Sequence, residues 1–253
     1  MENKIYIGTS GWHYKHWVGT FYPAGTPAQD FTNFYLRYFR TVEINNSFYK
    51  LPTLETFASW RASVPNDFVF AVKASRYITH LKKLKEPQQS TLRFFENLRG
   101  LGKKTGPVLF QLPPAWKVNP ERLQSLLQIL PPEHRYTFEF RDQSWYMPEI
   151  YDLLQQHNAA FCIYELAGHQ SPLEVTADFV YIRLHGPSLN KYQGSYPDET
   201  LGFWAEKLLA WQSQNKSVYL YFDNDQEGYA AFNARRLQEM ILQRKPEALH
   251  GKF

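Results

Sequence analysis

Two carboxylates, one lysine, two arginines and a histidine stand at the ends of short apolar runs: Glu43 in TVEINNSFY, Lys73 in VFAVKAS, Glu139 and Arg141 in YTFEFR, and Arg183 and His185 in FVYIRLHG. These types fit acid–base chemistry on an anion. The forks of Arg141 and Arg183 suit a phosphate or carboxylate. Glu43 or Glu139 would serve as general base or acid, with His185, which titrates near neutrality, as proton partner. Lys73 could be an electrophilic stabiliser or a Schiff-base amine, but a lysine among carboxylates is more often a paired cation, and it is not assigned as a nucleophile. Strand side chains alternate faces, so Glu43 and Asn45 share one face, as do Glu139 and Arg141, and as do Tyr181, Arg183 and His185. Gln111 in PVLFQLP and Asn224 in VYLYFDN fall at equivalent ends. Trp12, Tyr192 and Tyr196 lie in turn-rich segments from which rings can stack on a ligand.

A repeated strand-then-helix unit would gather these ends. Eight runs have strand character: IYIGTS, TVEINNSFY, VFAVKAS, PVLFQLP, YTFEFR, AFCIYE, FVYIRLHG and VYLYFDN. Helical spacing falls between most of them, over Phe31 to Phe39, Leu54 to Ala62, Gln88 to Leu98, Glu121 to Leu130, Pro148 to His157, Glu199 to Gln212 and Glu227 to Leu242. Alternation of this kind implies parallel pairing through right-handed crossovers. In a chain of 253 residues it predicts an α/β fold, a single (β/α)8 TIM-like barrel domain over 1–253. The sixth connection, LAGHQSPLEVTAD, is short and broken by Pro172, so the barrel is expected to be irregular there. In such barrels the chemistry sits where the strands end, which is where the polar residues are. The segment GPSLNKYQGSY after the seventh strand reads as a loop that closes over that mouth.

Composition narrows the partners. With 43% hydrophobic and 21% charged residues the chain reads as globular, and no apolar run is long enough for a membrane span. The opening MENKIYIGTSG has no secretory apolar region, so a cytoplasmic protein is expected. The single cysteine, Cys162, lies in an apolar run and predicts core packing rather than redox work. Neither GxGxxG nor GxxxxGK occurs, so no nucleotide cofactor is expected. Lys73, Arg141 and Arg183 against Glu43 and Glu139 leave one positive charge in excess, which favours a small anionic substrate over a divalent metal. A metal-dependent hydrolase or isomerase with Glu43, Glu139 and His185 as ligands is therefore the weaker alternative. A nucleic-acid-binding or processing protein is another, with a basic rim of Lys73, Arg76, His80, Lys82, Lys83 and Lys85, but a net charge of +4 is small for a dedicated binder. No motif specifies an oligomeric state.

Several motifs recur together: IGTSGW followed by FYP, VEINNSFY, FAVK with ITH, LFQLPP, FEFRDQSW, YIRLHG, the pair Tyr192 and Tyr196, and VYLYFDND. In combination they resemble the domain-of-unknown-function-72 family, also called YecE-like, from Ile7 to about Leu237. The sequence departs from the family pattern at INNSFY, where INSTFY is expected, and at YFDND, where YFNND is expected. The resemblance implies a TIM-like barrel of unassigned activity, similar in fold to xylose isomerase and endonuclease-type barrels.

Overall fold

The structure, a computed structural model, describes residues 4–244. Its strands are β1 (Ile5–Thr9), β2 (Thr41–Ile44), β3 (Val69–Lys73), β4 (Thr105–Gln111), β5 (Tyr136–Glu139), β6 (Ala160–Leu166), β7 (His169–Gln170), β8 (Phe179–Leu184) and β9 (Ser217–Phe222). All except β7 pair in parallel, in the order β1-β9-β8-β6-β5-β4-β3-β2. Around them lie α1 (Phe31–Tyr35), α2 (Leu54–Ala62), α3 (Pro87–Leu98), α4 (Pro120–Leu127), α5 (Pro148–Gln156), α6 (Asp198–Ser213) and α7 (Tyr229–Arg244). This is the TIM-like α/β barrel that the strand–helix alternation predicts.

The eight expected strands all form, with differences at their ends. β2 stops at Ile44 because Asn46–Phe48 winds into a 3-10 turn, so Asn45 is not on the strand. The first helix stops at Tyr35 rather than Phe39. At the sixth crossover, Ala167 and Gly168 take positive φ and turn β6 back into the antiparallel stub β7. Between β7 and β8 no helix forms. Instead, Ser171 and Thr176 hydroxyls accept from the backbone N–H groups of Tyr164 and Phe161, edging the outer side of β6.

The barrel nearly closes between β1 and β2, which share only the bridge Ser10–Glu43 and a hydrogen bond from Gly11 N–H to the Glu43 carbonyl. Below that point a side chain does the work of the ladder. The Tyr35 hydroxyl accepts from Thr9 N–H at 3.1 Å and donates to the Thr41 carbonyl at 3.0 Å. Glycine at position 8 permits the approach, since a Cβ there would stand 2.5 Å from the Thr41 carbonyl oxygen.

Alternation along the strands sorts the core into two layers. Outward residues such as Val42, Phe70, Val72, Phe110, Phe138, Val180, Ile182, Leu220 and Phe222 pack beneath the helices. Inward residues Ala71, Leu109, Ala160, Cys162, Phe179, Tyr181, Tyr219 and Tyr221 fill the barrel. Cys162 is packed in this layer, and burial pushes its thiol well up. One step further along the same inward rows, the apolar filling gives way to charge.

Candidate functional site

The inward rows end in Ser10 above β1, Glu43 on β2, Lys73 on β3, Gln111 on β4, Glu139 and then Arg141 after β5, Arg183 and His185 on and after β8, and Asp223 after β9. Arg183 is the hub. It is wholly buried, and all of its N–H-bearing nitrogens are engaged within the protein. Its Nε donates to Glu43 at 3.0 and 3.1 Å, and its Nη1 donates to Glu139 at 2.8 Å. Its Nη2 donates to Glu43 at 2.8 Å and to Asp223 at 2.9 Å. Glu43 also accepts from the hydroxyls of Ser10 and Tyr181. Such a centre is tolerable in a dry interior because each buried charge has an opposite charge and a hydrogen bond.

The remaining groups stack above it. Arg141 donates from Nε to Glu139 and from Nη2 to His185 Nε2 at 3.1 Å, and its guanidinium lies 4.8 Å over the Tyr164 ring. His185 is fully buried, with Nδ1 2.9 Å from Asp223 Oδ2. Two guanidinium donors face its Nε2, so the network assigns the proton to Nδ1 and leaves the ring neutral. Burial, then the Arg183 and Arg141 charges, hold its pKa well below the ordinary value. Burial works to raise the pKa of Glu139, but the guanidinia of Arg141 and Arg183 outweigh it and hold the carboxyl well below the usual range. Asp223 is shifted the other way: burial raises its pKa despite Arg183. Both Arg183 and His185 bind its Oδ2, and among the described residues no donor reaches its Oδ1.

Lys73 differs from every other cation of the site. Its side chain is buried, and its Nζ sits 4.3 Å from the centre of the Phe48 ring. Among the described residues, no carboxylate lies within ion-pair distance of it. Burial first, then Arg183, lower its pKa to about 8. The 3-10 turn that carries Phe48 is fastened to this strand end, as Ser47 Oγ donates to the Lys73 carbonyl at 2.6 Å. His80, which closes edge-on against Phe48, has a pKa lowered to about 4 by burial and by Lys73.

The structure thus brings together Glu43, Lys73, Glu139, Arg141, Arg183 and His185, with Gln111 beside them at 9% exposure. Tyr192 joins them: it is 41% exposed, its N–H donates to the His185 carbonyl, and its ring meets the imidazole edge-on at 5.6 Å. Other candidates lie elsewhere. Trp12 packs outward against Trp60 and Phe70, with its Nε1 donating to Thr32, because Gly11 at φ 91° breaks the alternation that Ser10 continues from β1. Asn224 points the opposite way from Asp223, and its Nδ2 donates to Asn233 of α7 and to the Gly194 carbonyl. Tyr196 is buried, and its hydroxyl accepts from Gly186 N–H, so it anchors the loop rather than covering the mouth. Asn45 sits at the cap of the 3-10 turn, and its Oδ1 has no partner among the described residues.

Asp223 and Ser10 escaped the sequence reading, although a signal for both existed. Carrying the inward period of Tyr219 and Tyr221 two residues further arrives at Asp223, and not at Asn224. Asp223 also changes the charge count. Three carboxylates now face Lys73, Arg141 and Arg183, so the excess of one positive charge disappears. Arg183, clamped on all sides, has no fork left for a ligand. Among the described residues, no group of three His, Cys, Asp or Glu side chains is placed to hold a metal ion, and no helix is long and apolar enough to cross a membrane.

Eight parallel strands in a nearly closed ring, with a guanidinium–carboxylate plug at their carboxyl ends, define a TIM-like barrel protein. The chain belongs to the family described as "Protein of unknown function DUF72", whose model matches residues 6–251. It is 26% identical over 272 residues to the UPF0759 protein YunF of Bacillus subtilis, covering 94% of each chain. It is 30% identical over 145 residues to the UPF0759 protein YecE of Escherichia coli K12, covering 56% of this chain and 50% of that one. A crystal structure of a DUF72 family protein from Thermotoga maritima superposes with a TM-score of 0.85 at 28% identity, covering 94% of this chain and 99% of that one. One from Enterococcus faecalis gives a TM-score of 0.82 at 19% identity, covering 96% and 97%, a likeness of fold.

Proposed function

We propose that this protein is an enzyme that binds a small phosphate- or carboxylate-bearing substrate at the carboxyl end of the barrel and acts on it by acid–base chemistry. The observation that carries this reading is the division of labour among the cations. Arg183 neutralises the buried carboxylates, Arg141 shares Glu139 with it but keeps Nη1 without a partner among the described residues, and Lys73 has no carboxylate of its own, so these two cations remain for a ligand. Arg141 takes the anionic group of the substrate, and Lys73 adds a second positive charge beside it. Asp223 replaces Glu139 and His185 as the proton acceptor, since it alone has a raised pKa and an open oxygen. His185 positions that carboxylate through Oδ2, and Tyr192 covers the site.

Thermal-shift titration with phosphate and small carboxylates tests this, run beside magnesium, manganese and zinc. An anion at 100 times its Kd adds about 2.7 kcal/mol, which for a chain of this size raises Tm by roughly 5–10 °C. Arg141→Met should abolish the shift, while Asp223→Asn should retain it. Stabilisation by a stoichiometric divalent ion, with no response to any anion, would overturn the reading.

A further inference from the structure

Lys73 is held in a way that a purely structural lysine is not. Lys104 and Lys216, partly sheltered, end on acceptors: Lys104 Nζ donates to the Arg61 and Val64 carbonyls, and Lys216 Nζ to the Ala177 carbonyl, while Lys207 lies 5.5 Å over the ring of Phe203, which is itself 40% exposed. Half-buried Lys82 and exposed Lys117 pair with Glu86 and Asp142. Lys73 Nζ has only the face of Phe48 beneath it, on a turn that Ser47 bolts to the same strand end. It stands at the mouth of the barrel within the fields of Glu139, Asp223 and Glu43. An ammonium kept in shelter with its donors unassigned is a group kept for a ligand.

We propose that Lys73 is a catalytic amine that condenses with the carbonyl group of an aldehyde or keto substrate carrying a phosphate or carboxylate. This rests on the anion site proposed above and names its substrate class. In the step, Nζ attacks the carbonyl carbon, a C–N bond forms, and the carbonyl oxygen departs as water. Lysine ammonium and carbonyl compound together give iminium and water, so one positive charge enters and one remains. That conservation suits a site in which three carboxylates and three cations already balance. The iminium draws electrons from the neighbouring carbon, and a proton released there passes to Asp223 Oδ1. Burial that lowers the pKa to about 8 makes the free amine accessible near neutrality.

Reductive trapping tests the proposal on the full chain. Pyruvate, glyoxylate, glycolaldehyde phosphate and glyceraldehyde 3-phosphate are each incubated with the protein and sodium cyanoborohydride, followed by intact-mass and peptide analysis. At about pH 7.5, an amine of pKa about 8 is roughly a quarter free base, against ~0.1% for an ordinary lysine near 10.4. Allowing for the weaker nucleophilicity of the less basic amine, Lys73 should react on the order of ten-fold to a hundred-fold faster than any surface lysine. The expected product is one saturable adduct per chain, on the peptide containing Lys73, with a mass gain equal to the carbonyl compound less its oxygen. Lys73→Arg should keep the phosphate-induced thermal shift and lose the adduct. Adducts spread evenly over Lys82, Lys83 and Lys85, or no adduct with any probe while phosphate still stabilises the protein, would overturn the imine and leave the anion site standing. Absence of both trapping and anion stabilisation would overturn both.

Discussion

Replacing Arg183 with Met should damage the fold before it damages any ligand contact. The substitution removes the counter-charge of Glu43, Glu139 and Asp223 together. Glu139 keeps Arg141, Asp223 keeps only the hydrogen bond from the neutral His185, and Glu43 is left with only the hydroxyls of Ser10 and Tyr181. A carboxylate in that state takes up a proton. Protonating a group of ordinary pKa near 4.3 at pH 7 costs about 1.36 kcal/mol per pH unit, or roughly 4 kcal/mol, within the range of about 3–5 kcal/mol seen when one partner of a buried pair is removed. At about 2–4 °C per kcal/mol for a chain of this length, Tm should fall by roughly 8–16 °C. The sign with pH follows from the same event. Because the proton comes from solvent, the deficit is largest near neutrality and shrinks as the pH falls. Calorimetric or circular-dichroism melts at about pH 7 and pH 5 measure both quantities, and Arg183→Met combined with Glu43→Gln should recover part of the loss. A variant melting within about 2 °C of the parent at both pH values would refute the view of Arg183 as the electrostatic hub.

Lys73→Met should stabilise the protein near neutrality, because a lysine whose folded pKa is lowered to about 8 costs stability as long as both states are protonated. The gain should be on the order of 1–3 kcal/mol below pH 8 and should fade as the pH rises toward the unfolded value near 10.4, which melts across that range would record. Arg183, Glu139, Asp223, Glu43 and the neighbouring His80 set the field in which that titration occurs. Tyr35→Phe removes the hydroxyl that joins Thr9 N–H to the Thr41 carbonyl, leaving two buried backbone groups unpaired at the β1–β2 seam. A loss of about 1–3 kcal/mol is expected, together with faster amide exchange at Thr9; unchanged exchange there would mean that the seam does not depend on the tyrosine.

The eight strands and most of the helices were legible because hydrophobic period and Gly/Pro punctuation are local properties of the chain. The run Phe179–Tyr181–Arg183–His185 already encodes a row that passes from apolar filling to charge. Pro172 and the shortness of its segment foretold the missing sixth helix. Local pattern also located most of the polar strand ends, since each strand carries its own alternation. It misplaced Trp12 and Asn224, which lie just past strand ends, where the side of the barrel a residue faces depends on how the chain leaves the sheet.

How those groups pair was decided only by closure of the barrel. Arg183 meets Glu43 across 140 residues of sequence and Glu139 across 44, and nothing near any of the three reveals which cation will be consumed. A charge count made along the sequence gave an excess of one cation and assigned Arg183 to a ligand. The register of β9 beside β8 brought in Asp223, cancelled the excess, and left Lys73 and Arg141 as the groups facing the mouth. Strand identity is decided by neighbours in sequence. The pairing of buried charges is decided by separations of a few ångströms across the interior, because in a low dielectric that is the distance over which one charge settles the state of another.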